Sequence, residues 1–231
     1  MNSKALSFRR WAVILAAGLS GVIVLVSMFV DPAPNADGKE LIKAYADNDQ
    51  AQGLHTNLIH YGFALFAPVA YAMVGLVRGR GAWIANIAGV LAVIGLTTLP
   101  GLVLLDYVTV GVEHVAGLDT AFKASNEVET LPGFMALVIP AFISSMLAVP
   151  LAAVAMWRAG LVAWWLPPVV ALAFLGPNVI PEALIGFTVM ALAMLVLAWA
   201  LWRIPTSAWY GGDTAVDLRE RVRDDNTLAT P

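Results

Sequence analysis

The sequence contains no cysteine, and this absence excludes disulfides, iron–sulfur clusters, thiolate metal sites and cysteine nucleophiles. It also has no nucleotide-binding glycine loop and no G-x-S-x-G motif, so neither nucleotide binding nor α/β-hydrolase chemistry has support in the residues. Charged residues make up only 13% of the chain, against about 25% in a typical soluble domain. The net charge is -3 and the basic residues form no stripe, so we expect no nucleic-acid partner and predict no catalytic residue.

Apolar residues are in excess, at 60% of the chain, and a lipid bilayer is the solvent that suits this composition. A helix needs roughly 20 apolar residues to cross about 30 Å of hydrocarbon. We therefore predict an all-α fold, a polytopic transmembrane helix bundle over residues 1–205, followed by a loosely ordered cytoplasmic tail over 206–231. The six predicted spans cover residues 11–30, 55–77, 82–105, 131–157, 161–176 and 183–202.

The first span follows three basic residues, as a signal peptide would, but its apolar run is longer than a signal core and no small-x-small cleavage site follows it. We interpret it as a retained anchor. Small residues at Ala17 and Gly21, and at Ala85 and Gly89, have the spacing that lets membrane helices approach closely.

The basic residues predict the orientation of the bundle. The termini and two short turns share one side, and that side holds ten of the thirteen Lys and Arg residues. The positive-inside rule therefore places both termini in the cytoplasm of a bacterial cell, with the bundle in its inner membrane. All eight tryptophans fall near the same side, as an aromatic belt at the headgroup level would.

Two outer segments are long enough to fold. In the first, Asp37 and Glu40 form the ends of a capping box, and Gly53 is predicted to end the helix. Leu41, Ile42 and Tyr45 would share one face of it. The second segment, 106–130, is predicted to continue the third span beyond the membrane, and the Leu131–Pro132 pair to start the fourth.

The three histidines lie toward the outer face with Asp106, and such a group suits a divalent metal or a haem. If the second and third spans form a hairpin, residue numbers at equal depth sum to about 159. His60 then lies level with Leu99 and Pro100, and His55 can pair with Asp106. His114 lies roughly 12 Å further out on a straight helix, so a three-histidine site requires a bend.

A second group of polar residues is a candidate pocket. Asn57, His60 and Tyr61 have i, i+3, i+4 spacing on one helix face, where interhelical hydrogen bonding or an outward-opening pocket would explain them. Thr97 and Thr98 precede a Pro-Gly pair, which is a candidate helix break or kink.

The chain resembles uncharacterised six-helix integral membrane proteins of actinobacterial type. The resemblance covers residues 1 to about 205 and rests on Ala/Val/Leu/Gly-rich helices, the Arg-Gly-Arg-Gly turn at 78–81 and the Thr-Thr-Leu-Pro-Gly stretch at 97–101. It implies no activity, cofactor or functional residues.

The missing signatures favour a non-enzymatic accessory, sensory or scaffolding component of the cell envelope, in contact with lipid and with other membrane or envelope proteins. One alternative is a permease or channel for an uncharged solute, and its lining would be His60, Asn57, Thr97, Thr98, Ser144 and Ser145. A second is a membrane oxidoreductase with an outer-face haem or metal at the histidines. No cofactor is predicted outside that alternative.

Overall fold

The computed structural model describes residues 3–180 and 182–209, and every regular element in those ranges is a helix, which confirms the predicted fold class. In chain order the helices are α1 (Ser3–Val30), α2 (Gly38–Asp47), α3 (Asp49–Ala64), α4 (Phe66–Leu76), α5 (Ala82–Val103), α6 (Leu105–Ala116), α7 (Leu118–Thr130), α8 (Pro132–Arg158), α9 (Leu166–Val179), α10 (Ala183–Arg203) and α11 (Thr206–Trp209).

Five helical stretches are long and apolar enough to cross a bilayer, and the protein is a helical membrane protein on that basis. The helix in the predicted fifth span, α9, has 14 residues and is shorter than the roughly 20 that a full crossing needs. It begins at Leu166 because Pro167 and Pro168 suit the first turn of a helix. The five long stretches are Lys4–Val30, Asp49–Leu76, Ala82–Ala116, Pro132–Arg158 and Ala183–Arg203.

Glycines bring the helices into backbone contact. A Cβ added at Gly95 of α5 would lie 2.2 Å from the backbone nitrogen of Ser145 in α8, and one at Gly21 of α1 would lie 2.8 Å from the Cα of Ala191 in α10. In lipid the hydrophobic effect does not drive helices together, so their association depends on close packing. The close approach predicted for Gly21 is confirmed, whereas Gly89 makes only ordinary contact, 3.5 Å from a side chain of α4.

Breaks divide two of the long stretches. Between α3 and α4 the helix is interrupted at Leu65, three residues before Pro68, whose ring displaces the carbonyl one turn earlier. Between α5 and α6 the interruption is at Leu104, and α5 runs uninterrupted through Pro100. The break therefore lies beyond the predicted Thr-Thr-Leu-Pro-Gly stretch.

The first outer helix is shorter than predicted. It starts as expected with Asp37 at the N-cap, but the capping side chain makes no hydrogen bond there. It ends at Asp47, because Asn48 leaves the helical conformation and its side-chain amide donates to the carbonyl of Ala44. The prediction that Gly53 ends this helix is wrong, since Gly53 lies inside α3.

At the outer end, named from the predicted orientation, α2, α6 and α7 form what we call the outer cap. Gly117, with φ 82°, turns the chain between α6 and α7. The cap encloses a small apolar core of Ala33, Tyr45 and Val110, and two residues of the predicted shared face of α2, Ile42 and Tyr45, are buried. As predicted, α8 then begins at Pro132.

At the inner end Arg10 fastens α1 to the end of α10. Its guanidinium donates to the carbonyls of Trp202 and Ile204 and to the hydroxyl of Thr206. A cation at a helix C-terminus also complements the helix dipole. Residues 206–209 of the predicted tail thus form a helical turn held against the bundle, and residues 210–231 lie outside the described residues.

Candidate functional site at the outer end

Six polar side chains gather where the outer cap meets the bundle, and we call them the rim cluster. The group draws on four parts of the chain, and its three members on α3 are at most 4% exposed. Burial of this kind in a membrane protein carries a cost unless partners satisfy the polar atoms. The members are Asp31, Tyr45, Gln52, His55, Thr56 and Asp106.

His55 connects the second span to the end of the first. Its Nδ1 lies 2.9 Å from the carbonyl oxygen of Ser27, so that nitrogen carries a proton and donates. Its Nε2 lies 3.7 Å from Oδ2 of Asp31, whose carboxylate is only 9% exposed. The other carboxylate oxygen of Asp31 accepts from the backbone nitrogen of Ala33 at 2.9 Å. Both ring nitrogens of His55 therefore face oxygen acceptors.

Tyr45 brings the outer cap into the rim cluster. Its ring centroid lies 6.1 Å from that of His55, and its hydroxyl interacts with the Asp31 carboxylate. Burial, together with the negative charges of Asp31 and Asp106, raises the pKa of Tyr45 well above its usual range. The phenol therefore stays protonated and can donate to Asp31.

Asp106 enters the cluster from the start of α6. The side-chain amide of Gln52 donates to the hydroxyl of Thr56 at 2.9 Å, and that hydroxyl interacts in turn with the Asp106 carboxylate. The predicted partner of Asp106 was His55. An electrostatic interaction links the two side chains, but the Nε2 of His55 faces Asp31.

The structure directs the three histidines to three separate backbone carbonyls. Nδ1 of His60 lies 2.7 Å from the carbonyl oxygen of Pro100, at the level that the residue-number sum predicts. Nε2 of His114 lies 3.3 Å from the carbonyl oxygen of Ala46, and its side chain is 44% exposed. The α6 helix continues through position 111 without the bend that a three-histidine site requires.

Within residues 3–180 and 182–209, no three His, Asp or Glu side chains are grouped as metal ligands. His55, His60, Asp106 and His114 are therefore not brought together as one ligand set. A metal or haem at these residues stays a prediction.

The predicted polar pocket residues flank the bundle. Asn57, Tyr61 and Thr97 are exposed on its surface, and the ring of Tyr61 contacts that of His60 edge-on at 5.1 Å. The hydroxyl of Thr97 donates to the carbonyl of Val93 in its own helix. His60 and Thr98 are partly buried. The structure thus brings His60 and Tyr61 together but does not gather all five residues around one opening.

Two cavities of about 320 and 340 Å³ lie under the outer cap, and we call them the cap cavities. The first extends from α6 and α7 to the start of α8, and the second lies between α2, α6 and α7. Four polar residues line both of them: Asp106, Thr109, Ser125 and Glu129. The rim cluster therefore reaches the cavities through Asp106.

Sequence reasoning did not find Asp31, Gln52 or Thr56 as members of this site. Asp31 follows the first span directly, and its contact with His55 depends on how α1 packs against α3, which the residue order does not encode. In the sequence Asp31 stands out only as an acid at the end of a span, and a position in the polar headgroup region explains such a residue equally well.

Comparison of the chain with protein-family models, with curated proteins and with solved structures found no match. The resemblance to six-helix membrane proteins of actinobacterial type stays an expectation from the sequence. Interpretation of this membrane protein therefore rests on the chemistry of its own rim cluster and cap cavities.

Proposed function

We propose that this protein is a non-enzymatic sensory or accessory component of the cell envelope, with the outer cap as its receptor surface. The observation that carries the proposal is the contact series from Tyr45 in the cap, through Asp31, to His55 in the bundle. Since this link from α2 to His55 is polar and buried, a change in the cap would alter the surroundings of the first and second spans.

The first span extends this series to the inner end. Its last turn supplies the Ser27 carbonyl to His55, and its first turns supply Arg10 to the end of α10. α1 has 28 residues, which makes it about 42 Å long at 1.5 Å per residue. One rigid helix thus contacts the rim cluster at one end and the α10–α11 junction at the other.

The rim cluster is arranged for structure more than for catalysis. The hydroxyl of Ser27 donates to the carbonyl of Val24 at 2.6 Å, so it is turned away from His55 and is not activated as a nucleophile. The histidine instead meets the Ser27 carbonyl. A Tyr–Asp–His series in which the neighbouring serine hydroxyl bonds its own helix supports conformational coupling over acyl transfer.

The permease alternative has less support from the packing. Ser144 and Ser145 are buried, but they lie against the backbone of Gly95, where α5 and α8 touch. The cavity of about 200 Å³ near Ser145 is lined mainly by Phe, Leu and Met side chains, and the Ser145 hydroxyl donates to the carbonyl of Phe142. A polar path for solute at this depth would need the two helices to separate.

The plasma membrane is the location we propose. The excess of basic residues on one side supports it, as do the tryptophans at the inner ends of the helices, where Trp165 and Trp199 stack at 6.3 Å.

The test measures whether the cap and the inner end move together. Because the natural chain has no cysteine, spin labels can be placed at Lys123→Cys in the cap and Phe8→Cys on α1, two solvent- or lipid-exposed positions. In lipid nanodiscs, Tyr45→Phe should shift or broaden the distance distribution between the labels. Tyr61→Phe is the matched control, because Tyr61 is 63% exposed, and it should leave the distribution unchanged.

The proposal of a sensory role is contradicted if folded Tyr45→Phe protein gives the same distribution as the parent. It is also contradicted if Tyr61→Phe changes the distribution as much as Tyr45→Phe does.

A further inference from the structure

We propose that the cap cavities bind a small amphipathic organic cation, an amine with an apolar body. This inference rests on the proposed sensory function and adds to it the chemical class of the ligand. Four polar residues belong to the lining of both cavities, so the two spaces adjoin along one wall. Volumes of about 320 and 340 Å³ lie at the lower end of the range for small-molecule sites.

The shared wall is acidic and polar. It carries the carboxylates of Asp106 and Glu129 and the hydroxyls of Thr109 and Ser125. The Thr109 hydroxyl donates to the carbonyl of Leu105, which leaves its oxygen free to accept from a ligand. No Lys, Arg or His lines either cavity among the described residues. An anion would therefore lack a counter-charge, whereas an ammonium group would meet two.

The rest of the lining is apolar. In the first cavity, Leu102, Val112, Val128 and Phe134 face the same space as the two carboxylates. An inorganic cation would gain nothing from these side chains, and its ligands would be too few. An alkyl or aryl body would bury apolar surface there while its amine reached Asp106, so the lining selects an amphipathic cation.

The charge around the cavities also favours a cation. The Tyr45 hydroxyl and the Asp31 and Asp106 carboxylates interact electrostatically, and His55 is the one potentially positive group that this part of the cluster contains. Lys39 pairs with Asp119 and also lies over the ring of Phe122, which lines the second cavity, and Lys43 pairs with Asp47, so neither ammonium belongs to the cavity lining itself. A cationic ligand would offset the excess negative charge, and the surrounding acids would attract it.

The test is calorimetric titration of the full chain in a maltoside detergent that contains no amine. The probe is 2-phenylethylamine, and 2-phenylethanol is the uncharged comparison of the same shape. We expect saturable binding of the amine and at least tenfold weaker binding of the alcohol, because the alcohol cannot form the charge-assisted hydrogen bond to a carboxylate.

Substitutions locate the site. Asp106→Asn and Glu129→Gln should each weaken amine binding by about tenfold. Glu127→Gln is the matched control, because it removes the same charge from α7 at a residue outside both cap cavities, and binding should be unchanged. Since Asp106 also contacts Thr56, the exposed Glu129 provides a variant that leaves the rim cluster intact.

A lipid headgroup amine and a free amine share this chemistry, and nanodiscs distinguish them. If 2-phenylethylamine binds in phosphatidylglycerol discs but not in phosphatidylethanolamine discs, the lipid headgroup is the natural occupant of the site. If it binds in both kinds of disc, the natural occupant is a free amine. Equal binding of amine and alcohol overturns the proposal, as does an equal loss in Glu127→Gln and Glu129→Gln. Amine binding without a change in the spin-label distances of Tyr45→Phe would refute the sensory function and leave the site standing.

Discussion

The bundle and the outer cap of this protein are held together in different ways. The bundle has one large core of small and flexible apolar side chains, many of them Ala and Met with no exposed surface. The cap has a small apolar core around Ala33, Tyr45 and Val110, and it also depends on polar links such as the Tyr107 hydroxyl donating to the Gly53 carbonyl at 2.9 Å. In lipid no hydrophobic effect drives helices together, so the bundle depends on close packing between its helices. The cap buries little apolar surface, so the free energy needed to open it locally is small.

The largest effect is expected where the bundle has the closest fit. Gly95→Ala should destabilise the bundle by about 3 kcal/mol, because the new methyl group would overlap the backbone of Ser145. Gly101→Ala on the same helix is the control, since nothing lies within 4 Å of its added Cβ. Thermal unfolding in detergent measures the stability of both variants. Equal melting temperatures would contradict the argument that the bundle depends on close backbone contact.

A smaller effect is expected at the junction of the two regions. His55→Leu should cost about 2 kcal/mol, because it removes the imidazole that faces the buried Asp31 carboxylate and the donor to the Ser27 carbonyl. Hydrogen exchange should then rise in α2, which contacts the rim cluster through Tyr45. His60→Leu removes a histidine of the same helix whose hydrogen bond goes to Pro100 in the bundle, and it should leave exchange in α2 nearly unchanged. An equal rise of hydrogen exchange in α2 for the two variants would contradict the role given to His55 at the junction.

The smallest effect is expected on the cap surface. The Lys39 ammonium, which pairs with Asp119 across α2 and α7, lowers the pKa of that carboxyl. Lys39→Gln should therefore raise the pKa of Asp119 toward its ordinary value, as measured by carbon NMR of the side chain with Asp119→Asn for assignment. Because both side chains are largely exposed, the melting temperature at neutral pH should not change measurably.

The sign of this effect follows from the lowered pKa. The stabilisation that ionised Asp119 provides is fully present above the ordinary pKa of an aspartate. It is lost as the pH falls through the lowered pKa of Asp119. Lys39→Gln should therefore make the cap less sensitive to acid. A greater sensitivity to acid in the variant would mean that the pair is not the source of the shift.

The sequence predicted those parts of the fold that depend on one segment or on one hairpin. Hydrophobic length predicted the helices, and the depth relation between the second and third spans placed His60 beside Pro100, where a hydrogen bond joins them. Prediction from the sequence failed where a residue contacts a helix that is distant along the chain. The contact of Asp31 with His55 requires α1 to lie against α3, and close packing there depends on Gly62, whose added Cβ would lie 2.5 Å from Val24.

Local signals competed at the first outer helix. Both Asn48 and Gly53 favour a helix end, and the sequence prediction chose the glycine. In the structure Asn48 ends α2, and Gly53 lies inside α3, where an added Cβ would make only ordinary contact with the Tyr107 hydroxyl at 3.5 Å. A glycine inside a helix and a glycine that ends a helix are identical in sequence.

The packing of α1 against α10 has a consequence for biogenesis. The Gly21 face of the first helix finds its partner only in a helix that begins at residue 183, and Arg10 finds the end of that helix later still. At ordinary rates of translation, the ribosome needs roughly ten to thirty seconds to synthesise the intervening chain. During that interval the first helix lies in the lipid without the partner of its Gly21 face. Stalling of the ribosome between the two helices would therefore prolong the time for which this face is unpaired.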